Sequence, residues 1–494
     1  MPQVLLHQEP IIMSWILLAI MVYVVLLVLV CLRIIYETRS TNKTLAYLLF
    51  TLFIPGLGMF FYVVFGINYW RRRRYNKKSA ADREILNKIK SNSQSYIESS
   101  LQLSDPAVQQ NAELATMLMR DLGSPITSGN EVTLLINGEE KFPDLLKSIR
   151  EAKDHIHLEY YIYDYDDIGA ELINALIEKA KEGVQVKFIY DDFGSPGIKN
   201  KTEKEMQDVG IQIFPFHKVH FYLLANRINY RNHRKIVVID GCIGYVGGIN
   251  VSDKYINGRG NNKLFWRDTH IRLNGPAVYY LQYLFMSDWK FCCDQGFEPL
   301  DRYFPRMAPL REDNFVQITA SGPDSSQPSV LYSILQAIYL AKEEILITTP
   351  YFIPGDSIID ALKVAALSGL KVKLLVPGVC DSKIVNSASR SNYRDLLTAG
   401  VEIYLYKKGF VHAKTLVTDN KLFIVGTANM DYRSFELNFE VNAIVYDVEM
   451  ATKMKEVFLK DLKDAEQIDK EVWAKRKWYA VFPERIWRLF SPVL

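Results

Sequence analysis

Uncharged apolar residues are concentrated at the start of the chain. Residues 11–32 contain 22 consecutive positions without a charge, and a helix of that length covers the hydrocarbon core of a bilayer, which is about 30 Å thick. A second uncharged run extends from residue 45 to residue 70, with a proline and two glycines near its middle. A cleaved signal peptide is the alternative for the first run, but no basic residue precedes that run and a second run follows it. We therefore predict a membrane anchor over residues 1–78, with transmembrane helices at about 11–34 and 45–69.

Lysine and arginine residues near these runs predict an orientation. Residues 71–78, RRRRYNKK, carry six positive charges directly after the second run, whereas the connecting loop carries three and the first ten residues carry none. The denser cluster is expected to stay in the cytoplasm. Two spans then return the chain to that side, so everything after residue 78 is predicted to be cytoplasmic.

The rest of the chain alternates helical patterns with short β-branched runs, and it repeats itself. Residues 145–192 match residues 329–377, and residues 232–250 match residues 411–429. The alternation predicts an α/β fold with a sheet covered on both faces. We predict two repeated α/β sandwich halves related by a pseudo-twofold axis, spanning residues 131–310 and 311–494. Residues 79–130 are predicted to form an amphipathic helical linker, and the second half ends in an amphipathic tail.

Composition and charge narrow the classes of function. Apolar residues make up 49% of the chain, which excludes a wholly disordered protein. The net charge is +3, and because six positive charges lie in residues 71–78, the remainder of the chain carries a net charge of −3. This balance argues against nucleic acid as a partner. The five cysteines form no CxxC pair.

A motif that occurs once in each half carries the candidate chemistry. Each copy has the spacing His-x-Lys-x4-Asp, and the candidate catalytic residues are His233, Lys235, Asp240, His412, Lys414 and Asp419. Imidazole can act as a nucleophile or proton carrier near neutral pH, and an ammonium group stabilises phosphate oxygens without a metal. A core histidine beside a salt bridge is the alternative for one motif alone, but two copies at equivalent places in a repeat argue against it.

Two further pairs of residues accompany the motifs. Asn250 and Asn429 each lie 17 residues after the motif histidine, in glycine-containing turns where an amide can donate to a phosphate oxygen. A plain turn is the alternative. Asp268 and Glu440 each lie beside a strand-like run, and we expect each to bind the second nitrogen of the histidine in its own half. A surface carboxylate is the alternative for Asp268.

The duplicated motif, followed each time by a glycine-containing turn and an asparagine, resembles the phospholipase D superfamily. Two N-terminal apolar runs, TTPYFIP at residues 348–354 and the terminal RLFSPVL resemble, more narrowly, the bacterial cardiolipin synthases. The resemblance implies two phospholipase D-like halves that form one active site, in a multi-pass protein of the bacterial cell membrane with its catalytic part in the cytoplasm. It also implies phosphatidylglycerol and membrane lipids as partners, with no metal and no other cofactor.

The reaction that this resemblance implies is a reversible phosphatidyl transfer. His233 would attack one phosphatidylglycerol and form a phosphatidyl-histidine, while His412 would protonate the departing glycerol. A second phosphatidylglycerol, deprotonated by His412, would then release cardiolipin. The motif lysines and both asparagines would hold the phosphate, and by the same resemblance Asp240 and Asp419 are structural anchors of the motifs. The symmetry of the sequence does not decide which histidine is the nucleophile.

Two other functions stay open at this point. One is a membrane-anchored phospholipase D-type phosphodiesterase that hydrolyses phospholipids, and the other is a membrane scaffold with relict motifs. The C-terminal segment RIWRLFSPVL, residues 485–494, has apolar and basic positions typical of a membrane-interface helix. A helix packed on the protein core fits the same pattern. No oligomeric state follows from the sequence.

Overall fold

The computed structural model describes residues 9–38, 41–62, 86, 89, 105–198, 201–216, 230–259, 264–293, 296–297, 299–307, 314–489 and 491. These residues belong to two compact units. One is N-terminal, within residues 1–77, and the other comprises most of residues 78–494 and includes the repeat.

The described part of the N-terminal unit contains three helices: α1 (Glu9–Glu37), α2 (Thr41–Phe53) and α3 (Pro55–Phe61). Among the described residues, one helix is long and apolar enough to cross a membrane, over Trp15–Glu37 with a mean hydropathy of 3.2. The predicted second span is not one continuous helix where the structure describes it. Ile54 separates α2 from α3 with φ −132° and ψ 68°, because a residue before proline avoids the helical region. The later part of that span, and the basic residues 71–78, lie outside the described residues.

In the repeat unit, two short helices within residues 106–122 precede the first strand, and each half then combines strands and helices. The strands of the first half are β1 (Thr127–Ile136), β2 (His155–Tyr160), β3 (Gln185–Asp191), β4 (Gln212–Phe216), β5 (Ile236–Ile239), β6 (Ile243–Gly247), β7 (Phe265–Arg267) and β8 (Thr269–Asn274). The strands of the second half are β9 (Asn314–Ser321), β10 (Glu344–Thr348), β11 (Phe352–Ile353), β12 (Lys371–Pro377), β13 (Glu402–Tyr406), β14 (Gly409–Val411), β15 (Thr415–Thr418), β16 (Leu422–Gly426), β17 (Met430–Asp431), β18 (Glu440–Tyr446) and β19 (Ala465–Gln467).

The helices of this unit precede, connect and follow those strands. They are α4 (Pro106–Gln110), α5 (Ala112–Leu122), α6 (Asn137–Glu151), α7 (Asp167–Lys181), α8 (Lys201–Asp208), α9 (Val278–Cys293), α10 (Ser329–Leu340), α11 (Asp356–Leu367), α12 (Lys383–Arg390), α13 (Tyr393–Ala399), α14 (Tyr432–Glu436), α15 (Val448–Leu462), α16 (Lys470–Ala474) and α17 (Trp478–Leu489). Short 3₁₀ turns occur at Pro196–Ile198, Asp253–Tyr255 and Leu300–Tyr303.

The two halves share one continuous sheet, which has fifteen strands in the described part of the chain. From the centre outward, the first half has the order β1-β8-β6-β5-β2-β3-β4, and the second half has the equivalent order β9-β18-β16-β15-β10-β12-β13, followed by β19. The halves meet where β1 and β9 pair antiparallel, with Thr127 opposite Val316. Matching strand order on both sides of an antiparallel pair confirms the predicted repeat and its pseudo-twofold relation.

Among the described residues, three apolar cores cover the faces of this sheet. Each half has its own core on one face, and a third core combines residues of both halves with α9 and α15. Successive residues of β5 alternate between cores, with Val237 in the core of the first half and Val238 in the shared core. Burial on both faces explains why the strands read as continuous apolar runs in the sequence.

The predicted linker over residues 79–130 is part of a core at its C-terminal end. α4 and α5 bury Ala107, Leu114 and Leu118 against α10 of the second half. The side chain of Gln317 in β9 donates hydrogen bonds to the carbonyl oxygens of Ala115 and Ser124, at 3.1 and 2.8 Å. Residues 105–126 are therefore structural members of the second half, although they precede the first half in the chain.

Candidate active site

Both motif histidines lie just before equivalent strands, at a place where the halves exchange backbone contacts. His233 precedes β5 and His412 precedes β15. The His233 N–H donates to the carbonyl oxygen of Phe439 at 3.0 Å, and the His412 N–H donates to that of Arg267 at 2.7 Å. The residue after each of these carbonyls is one of the predicted acids. The backbone thus places each histidine beside the acid of the other half.

The side chains of the two histidines also contact the opposite half. Nδ1 of His233 lies 3.0 Å from both carboxylate oxygens of Glu440, and Nδ1 of His412 lies 2.6 Å from Oδ2 of Asp268. The expectation that each acid binds the histidine of its own half was wrong. The reason is that the pairing of β7 with β14, and the bridge between Asn232 and Phe439, cross from one half to the other. In both histidines Nε2 makes no hydrogen bond within the described residues, and each side chain remains 10% exposed.

The two acids are held differently. The Thr427 hydroxyl donates to Oε2 of Glu440 at 2.5 Å. At the equivalent position of the first half stands Gly248, where an added Cβ would lie 2.1 Å from Oδ1 of Asp268. The shorter acid therefore occupies the space that the absent side chain leaves. The sequence analysis missed Thr427, although the difference between GGIN and GTAN marks the position.

Both motif lysines are buried beside their histidines. The Lys235 ammonium donates to the carbonyl oxygen of His233 at 2.6 Å, and that of Lys414 donates to the carbonyl oxygen of His412 and lies 3.0 Å from its Nδ1. Burial lowers the pKa of Lys235 to about 7 and that of Lys414 to about 8, against the opposing charges of the site carboxylates. Two desolvated ammonium groups are suited to an anionic ligand, whose charge would favour their protonated forms.

The pKa values of the two buried acids are shifted in opposite directions. Burial raises the pKa of Asp268 to about 6, although Lys414 and a hydrogen bond from the Thr269 N–H act in the opposite direction. Burial alone would raise the pKa of Glu440, but His233 and Lys235 outweigh it and lower that pKa. Glu440 is therefore ionised at neutral pH, whereas Asp268 takes up a proton close to neutrality.

The pKa values of both histidines are lowered, that of His412 more strongly. Burial lowers the pKa of His233, and the charge of Glu440 partly offsets that effect. Burial, together with the charges of Lys414 and Lys235, lowers the pKa of His412 well below its usual range. Both imidazoles are consequently neutral at neutral pH, which is the form that a nucleophile requires.

The motif aspartates lie away from this chemistry. Asp240 has φ 51° and accepts hydrogen bonds from the N–H groups of residues 153–155 at 2.8 to 3.0 Å. Asp419 has φ 52° and accepts from those of residues 342–344 at 2.7 to 2.9 Å. Each carboxylate thus clamps the start of a neighbouring strand, β2 or β10. This geometry is that of an anchor for the motif strand.

The two asparagines are not equivalent. The amide of Asn250 accepts from the Ile162 N–H at 3.1 Å and donates to the Tyr255 hydroxyl at 2.8 Å, so it holds the turn to its neighbours. Asn429 has a buried Oδ1 without a hydrogen-bond partner among the described residues. Of the two, Asn429 is the amide with bonding capacity left for a ligand: its Oδ1 can accept from a hydroxyl, and its Nδ2–H groups would be the donors to a phosphate.

Aromatic rings surround both histidines, and the sequence analysis did not single them out. The Tyr161 ring lies edge-on to His233 with centroids 4.9 Å apart. Around His412 lie the rings of Trp266, Phe410 and Tyr255, at 5.5, 5.9 and 6.0 Å. These residues come from separate segments, so no spacing in the sequence marks them as a group. Among the described residues, no three His, Cys, Asp or Glu side chains are grouped so as to hold a metal ion.

Comparison with known proteins decides the family. The model of the family described as cardiolipin synthase, phospholipase D-like domain, matches residues 145–289 and 334–462, and a phospholipase D-nuclease N-terminal model matches residues 17–66. A cardiolipin synthase of Geobacillus kaustophilus is 41% identical over 94% of this chain and 92% of its own length. The cardiolipin synthase of Listeria innocua is 39% identical over 93% of this chain and 95% of its own length. The chain belongs to the cardiolipin synthase family.

The cardiolipin synthase match covers both halves and both motifs, as the residues matched show. Among solved structures, the phosphatidylserine synthase of Haemophilus influenzae superposes with a TM-score of 0.57 at 12% identity, over 78% of this chain and 98% of the other. At that identity the likeness concerns the fold alone. It confirms the phospholipase D-like α/β architecture with repeated halves.

Proposed function

We propose that this chain synthesises cardiolipin by reversible transfer of a phosphatidyl group from one phosphatidylglycerol to another, with release of glycerol. The observation that carries the proposal is the crossed pair of histidines. Each has Nδ1 bound to a carboxylate of the opposite half and an Nε2 that makes no hydrogen bond to any described residue, beside two buried lysines. Membership of the cardiolipin synthase family supports phospholipids as substrates.

In the first step, Nε2 of His233 forms a bond to the phosphorus of the donor lipid, and the bond from phosphorus to the glycerol headgroup breaks. His412 gives its Nε2 proton to the departing glycerol oxygen, and its Nδ1 takes up the proton held by Asp268, so the imidazole stays neutral and Asp268 becomes ionised. The phosphate charge is balanced by Lys235 and Lys414, with Asn429 as a further donor. Covalent catalysis of this kind conserves the ester energy, so that no nucleotide is consumed.

In the second step, the direction of proton transfer at His412 reverses. A hydroxyl group of the second phosphatidylglycerol gives its proton to His412, its oxygen bonds to phosphorus, and the bond between phosphorus and His233 breaks. The products are cardiolipin and the free histidine. The same steps run backward when glycerol is in excess, which makes the transfer reversible.

The acids support this assignment of roles. A phosphorylated imidazole is cationic when Nδ1 keeps its proton, and the ionised Glu440 stabilises that charge on His233. Asp268, with a pKa of about 6, shares a proton with His412 close to neutral pH, as a residue that both gives and takes protons requires. His233 is accordingly the proposed nucleophile and His412 the proposed acid and base.

We extend the proposal to the membrane. The chain is a multi-pass protein of the bacterial cell membrane with two spans, and its catalytic part faces the cytoplasm. The helix over Trp15–Glu37 and the match of the N-terminal model to residues 17–66 support the anchor. The basic residues 71–78 support the orientation. The net charge of −3 outside those residues supports lipid, and not nucleic acid, as the substrate.

The test is an assay of the purified full chain in phosphatidylglycerol vesicles. Cardiolipin and glycerol in equal amounts are the expected products. Phosphatidic acid as the main product would replace the proposal with phospholipid hydrolysis. An absence of product would favour a scaffold. Incubation of preformed cardiolipin with excess glycerol should return phosphatidylglycerol, and failure to do so would refute reversibility.

A further inference from the structure

Helix α17, close to the C-terminus, presents an apolar face to the outside. The exposed fractions of its large apolar residues are 76% for Trp478, 59% for Tyr479, 55% for Phe482, 39% for Ile486 and 78% for Leu489. The spacing 478, 482, 486 and 489 places these positions on one side of a helix. The ring of Trp478 lies 6.3 Å from those of Tyr479 and Phe482, so the aromatic residues form one cluster.

The opposite side of α17 is fixed to the protein. Its buried Glu484 forms ion pairs with Arg390 of α12 at 3.1 Å and with Arg476 at 2.7 Å. Arg476 in turn lies over the Trp473 ring, 3.6 Å from its centroid. A helix that is held by buried ion pairs on one side has a defined orientation, and its exposed apolar face is therefore a constant feature of the surface.

The charges beside this face are basic. Lys475, Lys477, Arg485 and Arg488 are exposed, whereas the one acid between residues 475 and 489 is the buried and paired Glu484. Aromatic and aliphatic residues next to lysine and arginine are typical of helices that lie in the interface of an anionic membrane. A second copy of the chain that docked through the same helix would bring these cations together, because α17 has no exposed acid to pair with them.

This face is also connected to the active site. α12, against which α17 packs, reaches β11 through Ser389, whose hydroxyl accepts from the Phe352 N–H at 3.4 Å. β11 pairs with β17, the strand that directly follows Asn429. On the other side, Arg488 of α17 acts electrostatically on Tyr432, two residues after the start of β17. The helix thus borders the part of the molecule that holds the phosphate-binding turn of the second half.

We propose that α17 lies in the interface of an anionic lipid bilayer, with Trp478, Phe482 and Leu489 among the acyl chains and its basic residues at the headgroups. α17 is then a membrane-interface helix that holds the entrance of the active site against the membrane from which substrates enter. The sequence left membrane and core packing as alternatives for this tail. The structure assigns one face to each.

Insertion of the helix can be measured without any turnover. The full chain is reconstituted in vesicles of phosphatidylcholine and phosphatidylserine, in which the phosphatidylcholine carries bromine on its acyl chains. Quenching of the Trp478 emission is obtained as the difference between the wild type and Trp478→Phe. We expect strong quenching, greater for bromine near the headgroup than for bromine near the chain end. Trp487→Phe, on the same helix, is the matched control and should change the quenched emission little.

Activity gives an independent measurement. Phe482→Glu and Leu489→Glu should each lower transfer in phosphatidylglycerol vesicles by about fivefold or more, because a charge in the acyl region opposes insertion. The same variants should keep wild-type activity on short-chain lipid dispersed in detergent. Val448→Glu is the control. Val448 is 47% exposed and lies beyond the end of β18, about 20 Å along the strand from Glu440.

Three outcomes would overturn the proposal. One is Trp478 emission that brominated lipid does not quench although the full chain floats with the vesicles. The second is unchanged vesicle activity in both glutamate variants. The third is a dimer in detergent that dissociates in Phe482→Glu, which would assign the face to a second copy of the chain. A wild type that inserts α17 but makes no cardiolipin would refute the proposed function and leave this inference standing.

Discussion

At the scale of single residues, burial sets the chemistry of the site. His233, Lys235, His412 and Lys414 are each less than 9% exposed, and desolvation lowers the pKa of all four. Neutral imidazoles and ammonium groups that lose protons readily are poorly hydrated partners for an anion. An entering phosphate therefore gains strong electrostatic contacts without having to displace water from well-solvated cations.

Replacement of either motif histidine tests the roles proposed for the two residues. His233→Ala and His412→Ala should each lower turnover by about 10³-fold or more, because one removes the proposed nucleophile and the other the proposed proton carrier. Rapid quenching of the wild type with labelled lipid, followed by mass spectrometry, should locate the phosphatidyl group on His233. Label on His412 would reverse the two roles, and full activity in either variant would refute the two-histidine mechanism.

The pKa shifts predict a bell-shaped pH profile for kcat/KM. His233 gains a charge at acid pH, and because a protonated imidazole cannot attack phosphorus, activity should fall there; burial lowers the pKa of His233 and so places this limb below the usual range of a histidine. Lys235 and Lys414 carry their charges below about 7 and about 8, so activity should fall again above that range. Initial rates in mixed micelles across the pH range measure both limbs. Lys414→Arg should move the alkaline limb upward, and an unchanged limb in that variant would exclude Lys414 as its cause.

At the scale of elements, each motif supplies both the candidate catalytic residues and a structural anchor, because its aspartate lies in a tight turn at the far end of the strand. The histidine and lysine precede a strand of four residues, and the aspartate follows it in the left-handed region of φ. From there the carboxylate reaches three N–H groups at the start of the adjacent antiparallel strand, β2 or β10. The strand between them is buried, so the anchor at one end determines where the catalytic residues at the other end lie.

Removal of this anchor charge should affect stability more than chemistry. Asp240→Asn and Asp419→Asn keep a residue that tolerates positive φ but weaken the hydrogen bonds from the backbone. We expect each to lower the free energy of unfolding by about 1–3 kcal/mol, with a smaller loss of kcat than either histidine variant. Thermal unfolding in detergent and initial rates measure the two effects. A loss of kcat as large as that of His233→Ala, at unchanged stability, would instead indicate a catalytic role.

Helix α5 provides a second test at this scale. Leu118 is fully buried among residues of the second half, so Leu118→Ala should lower stability by about 2–5 kcal/mol through the cavity that it leaves. Thr116→Ala, at an exposed position of the same helix, is the control and should change stability little. Equal and small effects of both substitutions would show that residues 105–122 act only as a linker.

At the scale of the whole molecule, the repeat builds one site from two incomplete ones. Each half supplies a histidine and a lysine to its own motif and a carboxylate to the motif of the other half. Neither half alone has a complete proton-transfer pair. A single sheet running through both halves, with a shared core beneath α9 and α15, keeps the two sets in register.

The proposed topology places this whole assembly in the cytoplasm. A reporter enzyme that is active only outside the cytoplasmic membrane should be inactive when it is fused to the C-terminus. It should become active when the fusion follows the first predicted span, in the connecting loop. Reporter activity at the C-terminus would overturn the orientation, and activity at neither position would refute the second crossing.

The sequence by itself determined the family-level features of this protein. The repeat, the two motifs and the first apolar helix follow from local patterns, because spacing and hydropathy are properties of neighbouring residues. The anchor role of Asp240 and Asp419 came with the family resemblance, and their contacts in the structure have that geometry. Thr427 and the rings around His412 left only faint or scattered marks in the sequence.

Only the tertiary structure decided which carboxylate serves which histidine. The sequence placed Asp268 with His233 and Glu440 with His412, since each pair lies in one half. The strands of the two halves cross at the site, however, and this crossing depends on how β1 and β9 join the repeats into one sheet. It is a property of long-range pairing between segments about 145 to 210 residues apart. Local patterns carry no information on such pairing. The residue types of the site could therefore be predicted from the sequence, but the pairing of each histidine with its carboxylate could not.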